Sequence, residues 1–175
     1  IAIILGSGLG SLVDLMEDKK VISYQDIPNF PVSTVPGHKG ELIFGRLNNV
    51  PIIAMNGRFH YYEGYDLKEV TYPIRIFKLL GVETLILTNA AGGNNLEFQK
   101  GDLMIIEDQL SFFAESVLRG PNQEEFGERF IDMSNVYDKD YIEGSGQDYG
   151  DITFTDSEIS VVYFNQLDEK YKNQL

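Results

Sequence analysis

Cysteine is absent from the 175 residues, which excludes disulfides and thiolate chemistry. A reducing compartment fits that absence, and the cytoplasm is the expected location. Histidine is nearly absent too: His38 and His60 are the two imidazoles in the chain. Positive charge is scarce, with 14 Lys and Arg against 27 Asp and Glu and a net charge of −13. A surface of that sign argues against nucleic acid as a partner. An anionic ligand would need a local cationic pocket working against the global field. No apolar run approaches the length of a membrane span and no signal peptide is read, so no membrane partner is expected. Ile1 already lies inside an apolar run, and an upstream start is expected. The remaining composition is ordinary for a globular chain, 43% hydrophobic and 23% charged, at a one-domain length able to bury a core.

Against that background one stretch concentrates chemistry: Asn56-Gly57-Arg58-Phe59-His60-Tyr61-Tyr62-Glu63-Gly64-Tyr65. It follows an apolar run that reads as a strand. Arg58 and His60 are two apart, so in an extended backbone they share a side, with Tyr62 continuing the row. A planar guanidinium beside an imidazole suits an oxyanion, above all phosphate. The tyrosines suit a sugar or ring attached to it. The plain alternative is a loop with a solvated arginine and packed aromatics, and the rest of the chain must decide.

Ile1-Ala2-Ile3-Ile4-Leu5 reads as a strand buried on both faces of a parallel sheet. Gly6-Ser7-Gly8-Leu9-Gly10 follows, then a helical pattern with Leu9, Leu12, Val13 and Met16 on one face. Strand, glycine-rich turn and helix present backbone N–H groups to an anion, and Ser7 adds a hydroxyl. The turn lacks the Lys-Ser/Thr ending of a nucleoside-triphosphate loop and the dinucleotide spacing. Residues 26–40 read as a loop, punctuated by prolines and carrying His38. Residues 41–47 and 50–55 flank Asn48-Asn49, a hairpin turn. Residues 67–80 are amphipathic and stop at Gly81, with Pro73 expected to mark a kink or a late start. Thr84-Leu85-Ile86-Leu87-Thr88 reads as a second buried strand running into Asn89-Ala90-Ala91-Gly92-Gly93, small residues that let a backbone approach a ligand. Residues 103–107 read as a further strand, and a helix is expected from about Ser134, as its cap, to Tyr141. Sites in open α/β sheets lie at the carboxyl ends of strands, where the loops after Leu5, Met55 and Thr88 would meet. From Glu143 the composition becomes linker-like and acidic, followed by one strand-like run at residues 159–164.

These motifs together resemble the trimeric, low-molecular-mass purine nucleoside phosphorylases over residues 1–141. The matching blocks are Ile4-Leu5-Gly6-Ser7-Gly8-Leu9-Gly10, Ser33-Thr34-Val35-Pro36-Gly37-His38, Gly57-Arg58-Phe59-His60 with Tyr62-Glu63-Gly64-Tyr65, and Thr88-Asn89-Ala90-Ala91-Gly92-Gly93. Gly120-Pro121-Asn122, Phe126-Gly127, Arg129-Phe130 and Asp132-Met133-Ser134 follow in the same order. The resemblance implies an α/β, phosphorylase/hydrolase-like three-layer fold with a central mixed β-sheet, incomplete at its C-terminal side. It implies a partial phosphorylase-like domain at 1–141 and an acidic tail at 142–175. It also implies phosphorolysis of purine (deoxy)ribonucleosides to free base and pentose 1-phosphate, by a homotrimer. Arg58 and His60 would be catalytic, and Ser7, Arg58, His60, Ala90 and His38 would hold phosphate, His38 from a mobile loop. Tyr62 would contact the ribose, with Phe130 reaching it from a neighbouring subunit. The backbone at Asn89, Ala91 and Gly92 would lie near the base. No cofactor or metal is implied; orthophosphate is a co-substrate.

The chain also departs from the family. The groups that the family places on the purine, a second phosphate-binding Ser, a Met under the ribose and a His near the 5′-hydroxyl have no matching motif after Tyr141. Asp108-Gln109 stands where the family has Asp-His. The tail around Val161-Val162-Tyr163-Phe164-Asn165-Gln166 is loosely similar to the opening of bacterial cysteine-peptidase-type domains, without their nucleophile. Two further readings therefore stay open: a non-catalytic phosphate- or nucleoside-binding remnant, and a fusion fragment that folds only by pairing with another chain.

Overall fold

The computed structural model describes residues 1–34, 39–93, 95–99, 101–134, 136–144 and 159–166, the last stretch as backbone alone. Seven strands form one sheet: β1 (Ala2–Leu5), β2 (Glu17–Ser23), β3 (Glu41–Leu47), β4 (Val50–Asn56), β5 (Thr84–Ala91), β6 (Leu103–Ile105) and β7 (Ile159–Gln166). Their order is β2-β3-β4-β1-β5-β7-β6. At the centre β1 runs parallel to both β4 and β5. The flanks are antiparallel at β2/β3, β3/β4 and β5/β7, and β6 runs parallel to β7. The expected α/β architecture around a central mixed sheet is the one observed.

Strand alternation assigns each side chain a face. Ala2 and Ile4 of β1, Leu42 of β3 and Met55 of β4 join Tyr24, Phe30, Phe59 and Phe77 in one buried cluster. Leu5, Ile43 and Ala54, their neighbours in sequence, join Leu9, Val13 and Met16 on the opposite face. Each central strand is thus apolar at consecutive positions because both of its faces are covered. The first cluster carries α1 (Leu67–Leu79), whose Val70, Ile74 and Phe77 pack onto it. Phe59 meets Tyr24 and Phe30 there edge to face at 5.2 and 5.4 Å between ring centres, and Tyr24 and Phe30 meet tilted at 4.9 Å.

Several local expectations are corrected. The residues after the glycine turn form a six-residue 3-10 helix, Gly10–Leu15, rather than an α-helix. Its apolar face is the expected one, but the segment is too short to carry an appreciable helix dipole. Pro73 does not bring a late start: α1 begins at Leu67 and runs through it. The start is fixed upstream, where Asp66 accepts from the Glu69 N–H and the Glu69 carboxylate accepts from the Asp66 N–H, both at 2.8 Å. Gly81 ends the helix as expected, at φ +78°, with Val82 N–H donating to Phe77 O and Gly81 N–H to Lys78 O.

The helix expected from Ser134 begins later, as α2 (Lys139–Gly144). Ser134 turns its hydroxyl and its N–H onto Asp132 instead. Asp138 takes over as the cap, accepting from the Tyr141 N–H at 3.1 Å. The strand expected at 103–107 ends at Ile105. β2 was not foreseen: its residues are exposed and largely charged, and it is held at the sheet edge by backbone pairing with β3. The strand-like run at 159–164 is β7, which pairs with β5 along its whole length.

Candidate functional site

Because β4, β1 and β5 are adjacent and parallel, their carboxyl ends, at Asn56, Leu5 and Ala91, open at one edge of the sheet. Thr88 ties two of these ends together. Its buried hydroxyl accepts from the Gly6 N–H at 2.8 Å and donates to Ile4 O at 3.0 Å. Gly6 lies directly against β5: a Cβ on it would stand 2.7 Å from Thr88 O and 2.8 Å from Asn89 Cα. Only the missing side chain permits that approach.

The third end delivers Arg58. Its Nη1 donates to Thr88 O at 2.6 Å and its Nε to His60 Nε2 at 3.0 Å. Two of five guanidinium donors thus fix the plane of the group beside the Gly6 turn. His60 Nδ1 meets Glu63 Oε1 at 2.6 Å. With Arg58 donating to Nε2, the hydrogen-bond network assigns the ring proton to Nδ1. Arg58 and His60 share a side as expected. Tyr62 does not continue an extended row, because residues 61–63 form a 3-10 turn; its ring instead stacks on His60 at 4.7 Å and 19°.

Glu63 is the hub of this turn. Its side chain is 2% exposed, and four donor contacts converge on its two oxygens: His60 N–H and Nδ1 on Oε1, and Thr34 N–H and hydroxyl on Oε2. Burial works to raise its pKa, but the hydrogen bonds from Thr34 and His60 outweigh it and lower the value from 4.5 to about 2. Behind the turn, the buried Tyr24 hydroxyl donates to Gly57 O at 2.6 Å. Burial, with the Glu41 charge added, pushes that hydroxyl well above the usual phenol range.

The structure brings Arg58, His60 and Tyr62 together and sets Gly6-Ser7 beside them, with Ser7 exposed. Asn89, Ala90 and Ala91 belong to β5 and lie opposite Val161, Ser160 and Ile159 of β7, so the open turn expected there shrinks to Gly92 and Gly93. Phe130 is 87% exposed. His38 lies outside the described residues. Glu63, Thr34 and Thr88 are functional supports that the sequence reading did not single out. For Glu63 the signal was present in its spacing, three residues after His60 in a tight turn. Among the described residues no group of three or more His, Asp or Glu could hold a metal ion, and no helix is long and apolar enough to cross a membrane.

A chain that brings three strand ends and a locked Arg-His pair together in this way has relatives among known proteins. Residues 1–147 match the phosphorylase superfamily, and the chain belongs to it. Within that superfamily its relatives are purine nucleoside phosphorylases. Purine nucleoside phosphorylase 1 of Bacillus subtilis is 59% identical over 140 residues, which are 80% of this chain and 52% of that protein. The Bos taurus purine nucleoside phosphorylase is 54% identical over 143 residues, 80% of this chain and 50% of that one. The Schistosoma mansoni purine nucleoside phosphorylase in complex with adenosine superposes with a TM-score of 0.73 at 47% identity, covering 81% of this chain and 50% of the other. The chain spans about half the length of the curated relatives it matches.

Proposed function

We propose that this chain supplies the phosphate side of a purine nucleoside phosphorylase site. In that reaction an orthophosphate oxygen bonds to the anomeric carbon of a purine (deoxy)ribonucleoside as the glycosidic C–N bond breaks. The base leaves as free purine and the sugar as pentose 1-phosphate. The observation that carries this reading is the Arg58-His60-Glu63 array locked against Thr88 O beside Gly6. Arg58 and His60 act as the catalytic pair by holding the phosphate, with Ser7, the Ala90 backbone and His38 completing its shell. A fixed anion under the sugar stabilises oxocarbenium-like charge as it develops and positions the nucleophile. Tyr62 meets the ribose; its 74% exposure and its stacking on His60 support that role. The Asn89, Ala91 and Gly92 backbone lies near the base. The exposed Phe130 supports a homotrimer in which it enters a neighbour's ribose site. Orthophosphate is the co-substrate, no other cofactor takes part, and the cytoplasm is the setting.

A second reading is a phosphate- or nucleoside-binding remnant without turnover. It draws on the same array, since holding phosphate needs only the Arg58-His60 pair and the Gly6 turn. A site without hydrogen bonds to the leaving base would turn over on the order of a hundredfold to a thousandfold more slowly than one that has them. Inosine phosphorolysis, followed by coupled detection of hypoxanthine with and without phosphate, separates the readings. Phosphate-dependent turnover that drops by about a hundredfold or more in Arg58→Ala supports the enzyme. No turnover, with phosphate raising the Tm of the parent but not of Arg58→Ala, supports the remnant.

A further inference from the structure

We infer that the cavity between α1 and residues 117–131 is a second anion site, for a small phosphate monoester bearing an apolar or aromatic group. The cavity holds about 440 Å³ and shares no lining residue with the Arg58 cradle. That volume is within the range of small-molecule sites. Five cations line it, Lys68, Arg75, Lys78, Arg119 and Arg129, against the single carboxylate of Glu128. In a chain with 14 Lys and Arg and a net charge of −13, this is a strong local reversal of sign.

The cations divide by task. Arg75 donates to Gln123 Oε1 and lies over the Phe126 ring at 5.4 Å from its centre. Arg129 Nη1 donates to Leu118 O at 2.9 Å and Gly120 O at 2.6 Å. These two arginines therefore build the wall, one clamping the segment onto α1 and the other closing its loop. Lys68, Lys78 and Arg119 build nothing comparable. Among the described residues the one ion pair is His60–Glu63, so no described carboxylate pairs with any of these three.

Lys68, Thr71, Arg75 and Lys78 are spaced three and four apart, which puts them in a row on one face of α1. The row is about 15 Å long from Lys68 to Lys78, more than a bare phosphate spans. Ile74 and Ile131 join Phe126 along it and offer an apolar bed. Charge along the row beside an apolar bed suits an anion with an organic body. Unpaired like charges around one concavity repel, and a bound dianion relieves that repulsion. This inference stands apart from phosphorolysis, since the two sites share no residue.

The test titrates phenyl phosphate calorimetrically into the full chain carrying Arg58→Ala, which silences the first cradle. Phenol and inorganic phosphate serve as parallel probes. Phenyl phosphate is expected to bind, with phenol silent and inorganic phosphate weaker. Adding Lys68→Ala with Arg119→Ala, or Lys78→Ala alone, should weaken the Kd about tenfold or more, while circular dichroism and Tm stay near the parent's. Absence of phenyl phosphate binding, or an affinity indifferent to those substitutions, overturns the site. Inorganic phosphate binding as tightly as phenyl phosphate overturns the organic part of the ligand.

Discussion

The ends of β1, β4 and β5 and the segment from residue 106 to residue 134 are both irregular backbone on one chain, but they are held in opposite ways. At the strand ends nearly every polar group is answered within the chain: Gly6 N–H by Thr88, Gly57 O by Tyr24, Glu63 by Thr34 and His60. In the other segment large apolar side chains face outward, with Phe112 94% and Leu110 89% exposed. Its chief links to the rest are an edge contact between Phe113 and Tyr61 and the Arg75 clamp on Gln123 and Phe126. The first region is an array of hydrogen bonds fixed within the chain. The second is a surface whose apolar area suits another copy, in keeping with the proposed trimer.

This contrast predicts where substitution hurts most. Gly6→Ala forces a Cβ to within 2.7 Å of the β5 backbone, where nothing flexible can yield. It should lower stability by about 3 kcal/mol and Tm by about 10 °C, read by thermal unfolding. A loss below about 0.5 kcal/mol would show that the strand ends can yield to a Cβ at this position.

The Glu63 network sets a smaller, pH-dependent effect. The folded-state pKa is lowered from 4.5 to about 2. A depressed carboxylate contributes stability that is fully present above 4.5 and is lost as pH falls through the folded value. The contribution is on the order of 2 kcal/mol. Glu63→Gln sets an amide N–H₂ against donors, so it should lose a similar amount at pH 7 and have a flatter curve between pH 4.5 and 2. Urea midpoints across that range measure both; parallel curves for parent and variant would remove Glu63 from its role. At the small end, Phe112→Ser should change the stability of the isolated chain by no more than about 0.5 kcal/mol. A large loss there would mean the segment is packed in solution.

What could be read from the sequence followed from burial. The central strands are apolar at successive positions because two faces are covered, and Asn48-Asn49 marks the hairpin because both residues take positive φ, +47° and +65°. β2 gave no signal, since an exposed strand of Glu, Asp and Lys shows no alternation. The early start of α1 upstream of Pro73 follows from the Asp66–Glu69 cap, a local signature at the helix N-terminus. Arg58 and His60 were legible as a pair from their spacing. Their supports were not: Thr88 and Thr34 are ordinary residues until the topology brings Thr88 within hydrogen-bond reach of Arg58, 30 positions away, and Thr34 within reach of Glu63, 29 positions away. β5 outran its expected end because β7, distant in sequence, pairs with it.

Phosphate binding to the full chain is the most direct measure of the central claim, taken by calorimetry for the parent, Arg58→Ala and Tyr62→Phe. The locked guanidinium predicts that Arg58→Ala weakens phosphate about tenfold to a hundredfold, while Tyr62→Phe leaves it within about twofold. Equal effects of the two substitutions, or none from Arg58→Ala, would contradict the assignment of the cradle at the ends of β1, β4 and β5.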